Sequence, residues 1–588
     1  MKKYFFHILF LLLAVTANGQ YYLRGEIKDE KNQPLRNVKI LLNSNKQFYF
    51  SGSSGDFGIT TAVLADSLTL SLDGYEPKSV KVNAEQWQNI SLKISPSNVN
   101  SNRPKLISVT KNLDHSSKVR WYINEETYFQ LVENEYVKAD KFPNTGFSLN
   151  VNKASYSNVR RFINMKSAVP PDAVRTEEMI NYFNLHYREP KPGDVFRFES
   201  QLSSCPWDAD KQLLFLNVNA KKLNLNMIPP GNFVFLIDVS GSMDMPNRLP
   251  LLKAAFQMFV KNLRSIDTIS IVTYGGSVGI WLQPTGGAEK EKIIKSIEEL
   301  NASGDTPGEA AIMTAYALAR STYKESGSNR VILATDGDFN VGLTSEKAME
   351  DLITKERQGG IYLTCLGVGM GNFKDSKLAT LAKKGNGNYA YLDNINEAEK
   401  VLVKELTQTF FAVADDVFMN LKFNPGQVKE YRLIGFDNRR DAVADSTIDL
   451  EGGEIGSGNS VLAIFEIVPV NNPAVKTVPS TNDVIADIEM RYSLCDDTSN
   501  LQMTNFCPAN YADFKTIDKD LRFATAVAMF GLKIKQSKYI KPVEWDDIRK
   551  IATESHDPTS YLQTEFLQLV DKAEEIYSPK KRKKNKSD

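Results

Sequence analysis

Three short stretches of this chain carry oxygen donors of the kind that hold a hard cation. Asp238-Val239-Ser240-Gly241-Ser242-Met243 offers one carboxylate and two hydroxyls at alternate positions. Thr306 adds a hydroxyl within Ser303-Gly304-Asp305-Thr306-Pro307-Gly308, and Asp336 adds a second carboxylate within Ala334-Thr335-Asp336-Gly337-Asp338. Hard oxygen is what Mg²⁺, Mn²⁺ and Ca²⁺ take. Each stretch alone has a plainer reading, because Ser and Asp cap helices and fill turns, and Asp-Gly is turn chemistry. Their weight comes from the elements that must carry them.

From residue 229 the pattern alternates strand and helix, the mark of an α/β sheet. Strands are expected over Phe233–Val239, Thr268–Tyr274, Val278–Gln283, Arg330–Thr335, Ile361–Gly367 and Asn388–Leu392. Helices are expected over Arg248–Leu263, Glu289–Leu300, Glu309–Tyr323, Ser345–Arg357, Asp375–Lys383 and Asn396–Thr409. In the first helix Leu251, Leu252, Ala255, Phe256, Phe259 and Leu263 form a core-facing stripe. Val278–Gln283 follows Gly275-Gly276 and is expected as an antiparallel edge hairpin. Asp238 then ends the first strand, Asp336 ends the fourth, and Thr306 lies in a loop before a helix. Open α/β sheets bind ligands beyond the carboxyl ends of their strands.

In order and spacing these three pieces resemble the metal-ion-dependent adhesion site of von Willebrand factor type A domains, and residues 229–402 are identified as such a domain. The resemblance implies one divalent cation, Mg²⁺ first with Mn²⁺ or Ca²⁺ as alternatives. Ser240, Ser242 and Thr306 are then direct ligands. Asp238 and Asp336 act through water or anchor the hydroxyls. Too few direct ligands remain to close an octahedron, so a protein partner's Asp or Glu is expected to complete it. Asp305 and Glu309 stand where relatives often carry Ser and Gly. Their charge either tightens the cation or repels an acidic partner.

At 588 residues the chain is expected to hold about three to five domains. Lys2 and Lys3 precede an apolar run from Tyr4 to Val15, then Ala17-Asn18-Gly19, so residues 1–19 read as a signal peptide. The run is shorter than the roughly 20 apolar residues a membrane span needs. No later segment is apolar enough to cross, and the mature protein is expected in the periplasm, cell envelope or medium. Residues 20–97 alternate short strands and turns; Gly25, Pro34-Leu35, Asn37-Val38, Gly55-Asp56-Phe57-Gly58 and Gly74-Tyr75 resemble the carboxypeptidase-regulatory-like β-sandwich. Residues 98–118 are polar linker. Residues 119–228, with Phe142-Pro143-Asn144-Thr145-Gly146-Phe147, Pro170-Pro171-Asp172 and Cys205-Pro206-Trp207, resemble the domain that precedes the type A domain in one bacterial exported family. Relatives there tend to carry Asp where Asn150 and Asn152 stand. Residues 403–578 resemble the C-terminal domain of the same family, β-rich and then helical. Residues 579–588 are a basic tail, solvated by default. The fold class is therefore multidomain α+β around a Rossmann-like α/β type A domain.

Net charge is zero, which gives no pull toward nucleic acid. Of four cysteines, Cys495 and Cys507 bracket a short polar loop and are expected to pair, whereas Cys365 is expected as a buried thiol, as is usual for free Cys in an apolar strand. Gly275-Gly276-Ser277-Val278-Gly279 matches a nucleophile elbow, which needs a helix after it; here β-rich Ile280-Trp281-Leu282 follows. His115, His186 and His556 have no local triad partner. Gly367-Val368-Gly369-Met370-Gly371 lacks the last glycine of a dinucleotide fingerprint, with Asn372 in its place. No enzyme is expected. Two functions stay open: a binding module that captures a partner through the cation, and an envelope assembly component in which the cation serves stability.

Overall fold

The computed structural model describes residues 21–93 and 126–578, apart from 31, 53, 73–74, 225–227, 276, 303–307, 338–345, 371–372, 438–451, 471–482 and 495–496. The chain divides into two units, Met1–Leu113 and Asp114–Asp588.

In the first unit, strands of alternating pattern bury every second residue. Asp56–Thr61, Tyr21–Asp29 and Gln88–Leu92 form one sheet; Gln47–Phe50, Lys39–Leu42, Ala65–Ser71 and Lys78–Asn83 form the other. Leu23, Ile27, Ile59 and Leu92 of the first join Ile40, Leu42, Leu68 and Leu70 of the second in one core. The unit is a seven-stranded β-sandwich, as its turn spacing suggests.

In the second unit the α/β layer is built on β1 (Gly231–Asp238), β2 (Thr268–Gly275), β3 (Ser277–Gly286), β4 (Ser328–Thr335), β5 (Ile361–Val368) and β6 (Tyr389–Leu392). The strand order is β3-β2-β1-β4-β5-β6. All neighbours are parallel except β2 and β3, the expected hairpin. Every residue of β1 is buried, because helices cover both faces of the sheet. Phe235 and Ile237 pack with Phe256 and Phe259 of α1 (Leu249–Lys261). Val234 and Leu236 point the other way, toward Ala315 and Tyr316 of the helix Gly308–Ser321. That is the period of two expected of a strand. The chain leaves β1 to one side for β2 and returns on the other as β4, so the crevice between β1 and β4 is the topological switch point.

Strands from either side of this layer are interleaved. One sheet runs Tyr511–Ala512, Phe196–Ser204, Gln212–Ala220, Ser460–Pro469, Val428–Leu433, Val137–Lys138. A second contains Gly453–Gly456, Ala412–Phe423, Val484–Leu494 and Asp497–Pro508, with Asn144–Ser148 also pairing Ala412–Phe423. The flanks, expected as separate blocks at 119–228 and 403–578, thus share their sheets. Pairings such as Phe215↔Ile464 leave no trace in local periodicity. Helices Ala154–Asn164, Lys519–Ile534, Trp545–Ser555 and Tyr561–Tyr577 share a third core through Tyr156, Phe162, Phe530, Trp545 and Phe566.

Three local expectations change. The helix expected over Asn396–Thr409 breaks into Ile395–Glu399, a π turn at Lys400–Lys404, and Leu406–Phe410. The Glu405 N–H reaches the Lys400 carbonyl at 2.8 Å, and both side chains join an ion cluster with Lys153. The polar loop expected after Cys495 is an edge strand, Asp497–Pro508. Cys507 sits opposite Ala486, at the far end of that hairpin from Leu494, and is a buried free thiol. It therefore forms no disulfide with Cys495, which lies outside the described residues. Cys365 is a buried free thiol, as expected.

Candidate metal centre

The β1 run of apolar residues ends abruptly at Asp238, which has no exposure to solvent. Its Oδ1 accepts the Ser240 N–H at 2.9 Å and its Oδ2 accepts the Thr335 hydroxyl at 2.9 Å. Thr335 closes β4 and in turn accepts the Gly337 N–H at 3.2 Å. Burial pushes the Asp238 carboxyl up to about 6, against the hydrogen bonds from Ser240, while the nearby Asp336 charge adds to the rise. Among the described residues no cationic side chain pairs with Asp238. A buried carboxylate held only by neutral donors is costly unless a cation reaches it.

The chain after Asp238 turns across the end of β2. A Cβ on Gly275 would stand 2.5–2.7 Å from the backbone of Val239 and Ser240, so only glycine lets the turn approach. The turn sets the Ser240 and Ser242 hydroxyls 3.1 Å apart, with Ser240 buried and Ser242 exposed. Asp336 follows β4 directly, next to β1 in the sheet. Four of the five expected ligands, Asp238, Ser240, Ser242 and Asp336, thus gather at the switch point. Thr306 and Asp305 lie outside the described residues, as does the side chain of Glu309. The donors gathered here are hard oxygens, and their chemistry fits a divalent cation.

Two contributors escaped the sequence reading. Thr335 precedes Asp336 and looked like an ordinary strand end, although a hydroxyl beside a conspicuous Asp was a usable signal. Arg248 was read only as the start of a helix. Its Nη1 donates to Asp336 Oδ2 at 2.6 Å and to the Ser242 carbonyl at 2.7 Å; Nη2 donates to the Met370 carbonyl at 2.8 Å. The guanidinium therefore ties together the loops after β1, β4 and β5. Gly369, at φ +79°, makes room for it, since a Cβ there would lie 2.5 Å from Arg248 Nε. Gly369→Ala is expected to destabilise the protein by about 1–3 kcal/mol through backbone strain and this clash. Chemical denaturation of the full chain measures it, and an unchanged midpoint would sink the argument.

The other sequence signals resolve as scaffold. Ser277 begins β3 in a strand-to-strand hairpin, not a strand-to-helix elbow, and Gly369 follows the end of β5. Asn152 Oδ1 accepts the Tyr389 N–H at 2.9 Å, securing edge strand β6. His186, Asp518 and Asp520 bring three possible ligand atoms within 4.8 Å of one another. Glu199 lies 3.3 Å from His186 and Arg188 pairs with Asp518 at 3.1 Å, contacts that tie a helix start to the sheet.

The chain is 35% identical over 470 residues to the "Uncharacterized protein YfbK" of Escherichia coli K12, covering 76% of this chain and 81% of that protein. The chain belongs to the YfbK family. The family description "Uncharacterized protein YfbK, C-terminal" matches residues 408–576, "von Willebrand factor type A domain" matches 233–338, and "von Willebrand factor" matches 122–215. This family member is thus a von Willebrand A-domain protein. It is also 24% identical over 249 residues to the magnesium-chelatase 67 kDa subunit of Chlorobaculum parvum, covering 37% of this chain and 39% of that one. Among solved structures, a von Willebrand factor type A protein from Catenulispora acidiphila superposes with a TM-score of 0.39 at 14% identity, over 66% of this chain and 90% of that one.

Proposed function

We propose that this protein captures a protein partner through a divalent cation held by Asp238, Ser240, Ser242, Thr306 and Asp336. The observation that carries the reading is Asp238, a wholly buried carboxylate with only neutral donors among the described residues, at the crevice that α/β sheets use for ligands. When bound, the cation supplies a Lewis-acidic position open to an Asp or Glu of the partner. Asp238 holds the Ser240 turn in place, Ser240 and Ser242 present their hydroxyls side by side, and Asp336 balances charge from β4. Mg²⁺ is the first candidate, with Mn²⁺ and Ca²⁺ as alternatives. We assign no catalytic residue, and the likeness to a magnesium-chelatase subunit is read as a shared type A domain only.

Export belongs to the same reading. Residues 1–19 act as signal peptide, outside the described residues, and residues 20–97 as a carboxypeptidase-regulatory-like sandwich. Residues 229–402 are the type A domain, with 119–228 and 403–578 as its flanks, 98–118 as linker and 579–588 as tail. No helix among the described residues is long and apolar enough to cross a membrane.

A second reading rests on a specific observation. The α/β layer is tied to the flanks by buried ion pairs, among them Arg330–Glu454 at 2.6 Å, each side chain 1% exposed. In that reading the cation serves an envelope assembly through stability alone. A pull-down from envelope extract with wild type and Asp238→Ala, each with Mg²⁺ and with EDTA, separates the two. Partner capture predicts recovery only by wild type with Mg²⁺. Equal recovery in all four lanes ends the adhesion reading.

A further inference from the structure

We propose that Arg248 is the charge that sets this site's preference, weakening the cation alone and strengthening the acidic ligand that follows it. The inference rests on the metal reading above and concerns a residue that the ligand motif does not include.

Arg248 stands immediately before α1, and its side chain is 9% exposed. Its contacts are fixed on three loops at once: Asp336 Oδ2, the Ser242 carbonyl and the Met370 carbonyl. Gly369 leaves the passage in which its Nε lies. The guanidinium contributes one positive charge to the site. It pairs with Asp336 and leaves Asp238 without a cationic partner among the described residues. The three groups Asp238, Asp336 and Arg248 therefore sum to one negative charge. A divalent cation turns that sum to one positive charge, which a single carboxylate from outside neutralises. Without the guanidinium, the same cation would bring the sum to zero, leaving less to attract an acidic ligand. The pair is nearly buried, where charges interact much more strongly than in water.

The two effects have opposite signs, and that distinguishes a charge-setting role from simple bracing. A brace, once cut, weakens everything the loops hold. The test uses the full chain, with Mn²⁺ binding followed by calorimetry and acetate binding to the Mn²⁺-loaded protein followed by water-proton relaxation. Arg248→Gln is expected to tighten Mn²⁺ at least about tenfold and to weaken acetate by a similar factor. Arg248→Lys keeps the charge but not the forked contacts, and both affinities are expected to lie closer to wild type than those of Arg248→Gln. Arg248→Met replaces Arg248→Gln in the comparison if the amide variant does not fold. Mn²⁺ binding that is unchanged or weaker in the neutral variant, with wild type binding normally, overturns the proposal and leaves the metal site standing. Absence of Mn²⁺ binding in wild type and Arg248→Gln alike overturns the metal site itself, and the proposal with it.

Discussion

Replacing Arg160 by alanine is expected to cost about 3–5 kcal/mol of stability, the usual cost of stranding buried charge. Arg160 lies on the helix Ala154–Asn164, and its side chain is 2% exposed. Nη2 reaches Asp393 at 2.5 Å and Glu397 at 2.7 Å, and Nη1 reaches Glu565 at 2.8 Å and the Tyr182 hydroxyl at 3.1 Å. Asp393 and Glu397 belong to the α/β layer just after β6; Glu565 belongs to the C-terminal helix Tyr561–Tyr577. One guanidinium thus joins three elements and answers three carboxylates. The balance is already strained, since burial pushes the Asp393 carboxyl up to about 6 even with Arg160 beside it. Removing the cation leaves the three carboxylates facing one another. Urea unfolding of the full chain at pH 7, followed by near-ultraviolet circular dichroism, measures the loss. A change under about 1 kcal/mol would mean that water reaches the seam and the network is ornamental.

Glu177→Gln should act in the opposite direction, stabilising the protein by about 2–3 kcal/mol at pH 8. Burial pushes the Glu177 carboxyl up to about 7, with the Asp437 and Glu178 charges adding. Its Oε2 has no hydrogen-bond partner among the described residues. The folded state therefore keeps a proton that the unfolded chain releases. Between about pH 4.5 and 7 the native state binds more protons than the unfolded state, so stability falls as pH rises and then levels off. Glutamine has the same shape without the ionisation, and its advantage should be full above pH 7 and nearly gone at pH 4. Melting temperatures of both proteins across that range test this, and parallel curves would refute it. Glu177 neighbours Glu178, which pairs with Arg175, which in turn grips Asp375 at the start of the helix after β5. Both substitutions thus probe how firmly the flanks hold the layer that carries the candidate metal centre.

That hold bears on function. One edge of the α/β layer is embedded: the Ser157 hydroxyl donates to the Tyr391 carbonyl at 2.7 Å, which helps cover edge strand β6 and removes it as a site for stray pairing. The carboxyl end of the sheet keeps Gly241, Ser242, Asp244 and Met245 exposed. The partner-capture and assembly readings consequently use different surfaces of one body, so the Mg²⁺-dependent pull-down and the Arg160 stability measurement address them separately.

The α/β layer, and the strand ends that carry four of the five candidate ligands, were legible in the local pattern alone. The apolar run Phe233–Ile237 can be satisfied only between two covering faces, and Asp238 marks where the apolar run, though not the burial, stops. The observed β1 ends at Asp238, one residue short of the expected end. Alternation and helical stripes report burial one element at a time, and every strand of that layer was legible for this reason. Tertiary structure alone decided the rest. Arg248 meets Asp336 across 88 residues, and in the sequence it is indistinguishable from a solvated arginine at a helix start. Gln212–Ala220 pairs with Ser460–Pro469 across the whole type A domain, so two apparent flanking domains are one body. Cys507 is set opposite Ala486 by a strand register that a polar composition concealed. Periodicity records which side of an element avoids water; which distant element provides the shelter, and which charge answers a buried charge, depends on close packing that exists only once the chain has folded.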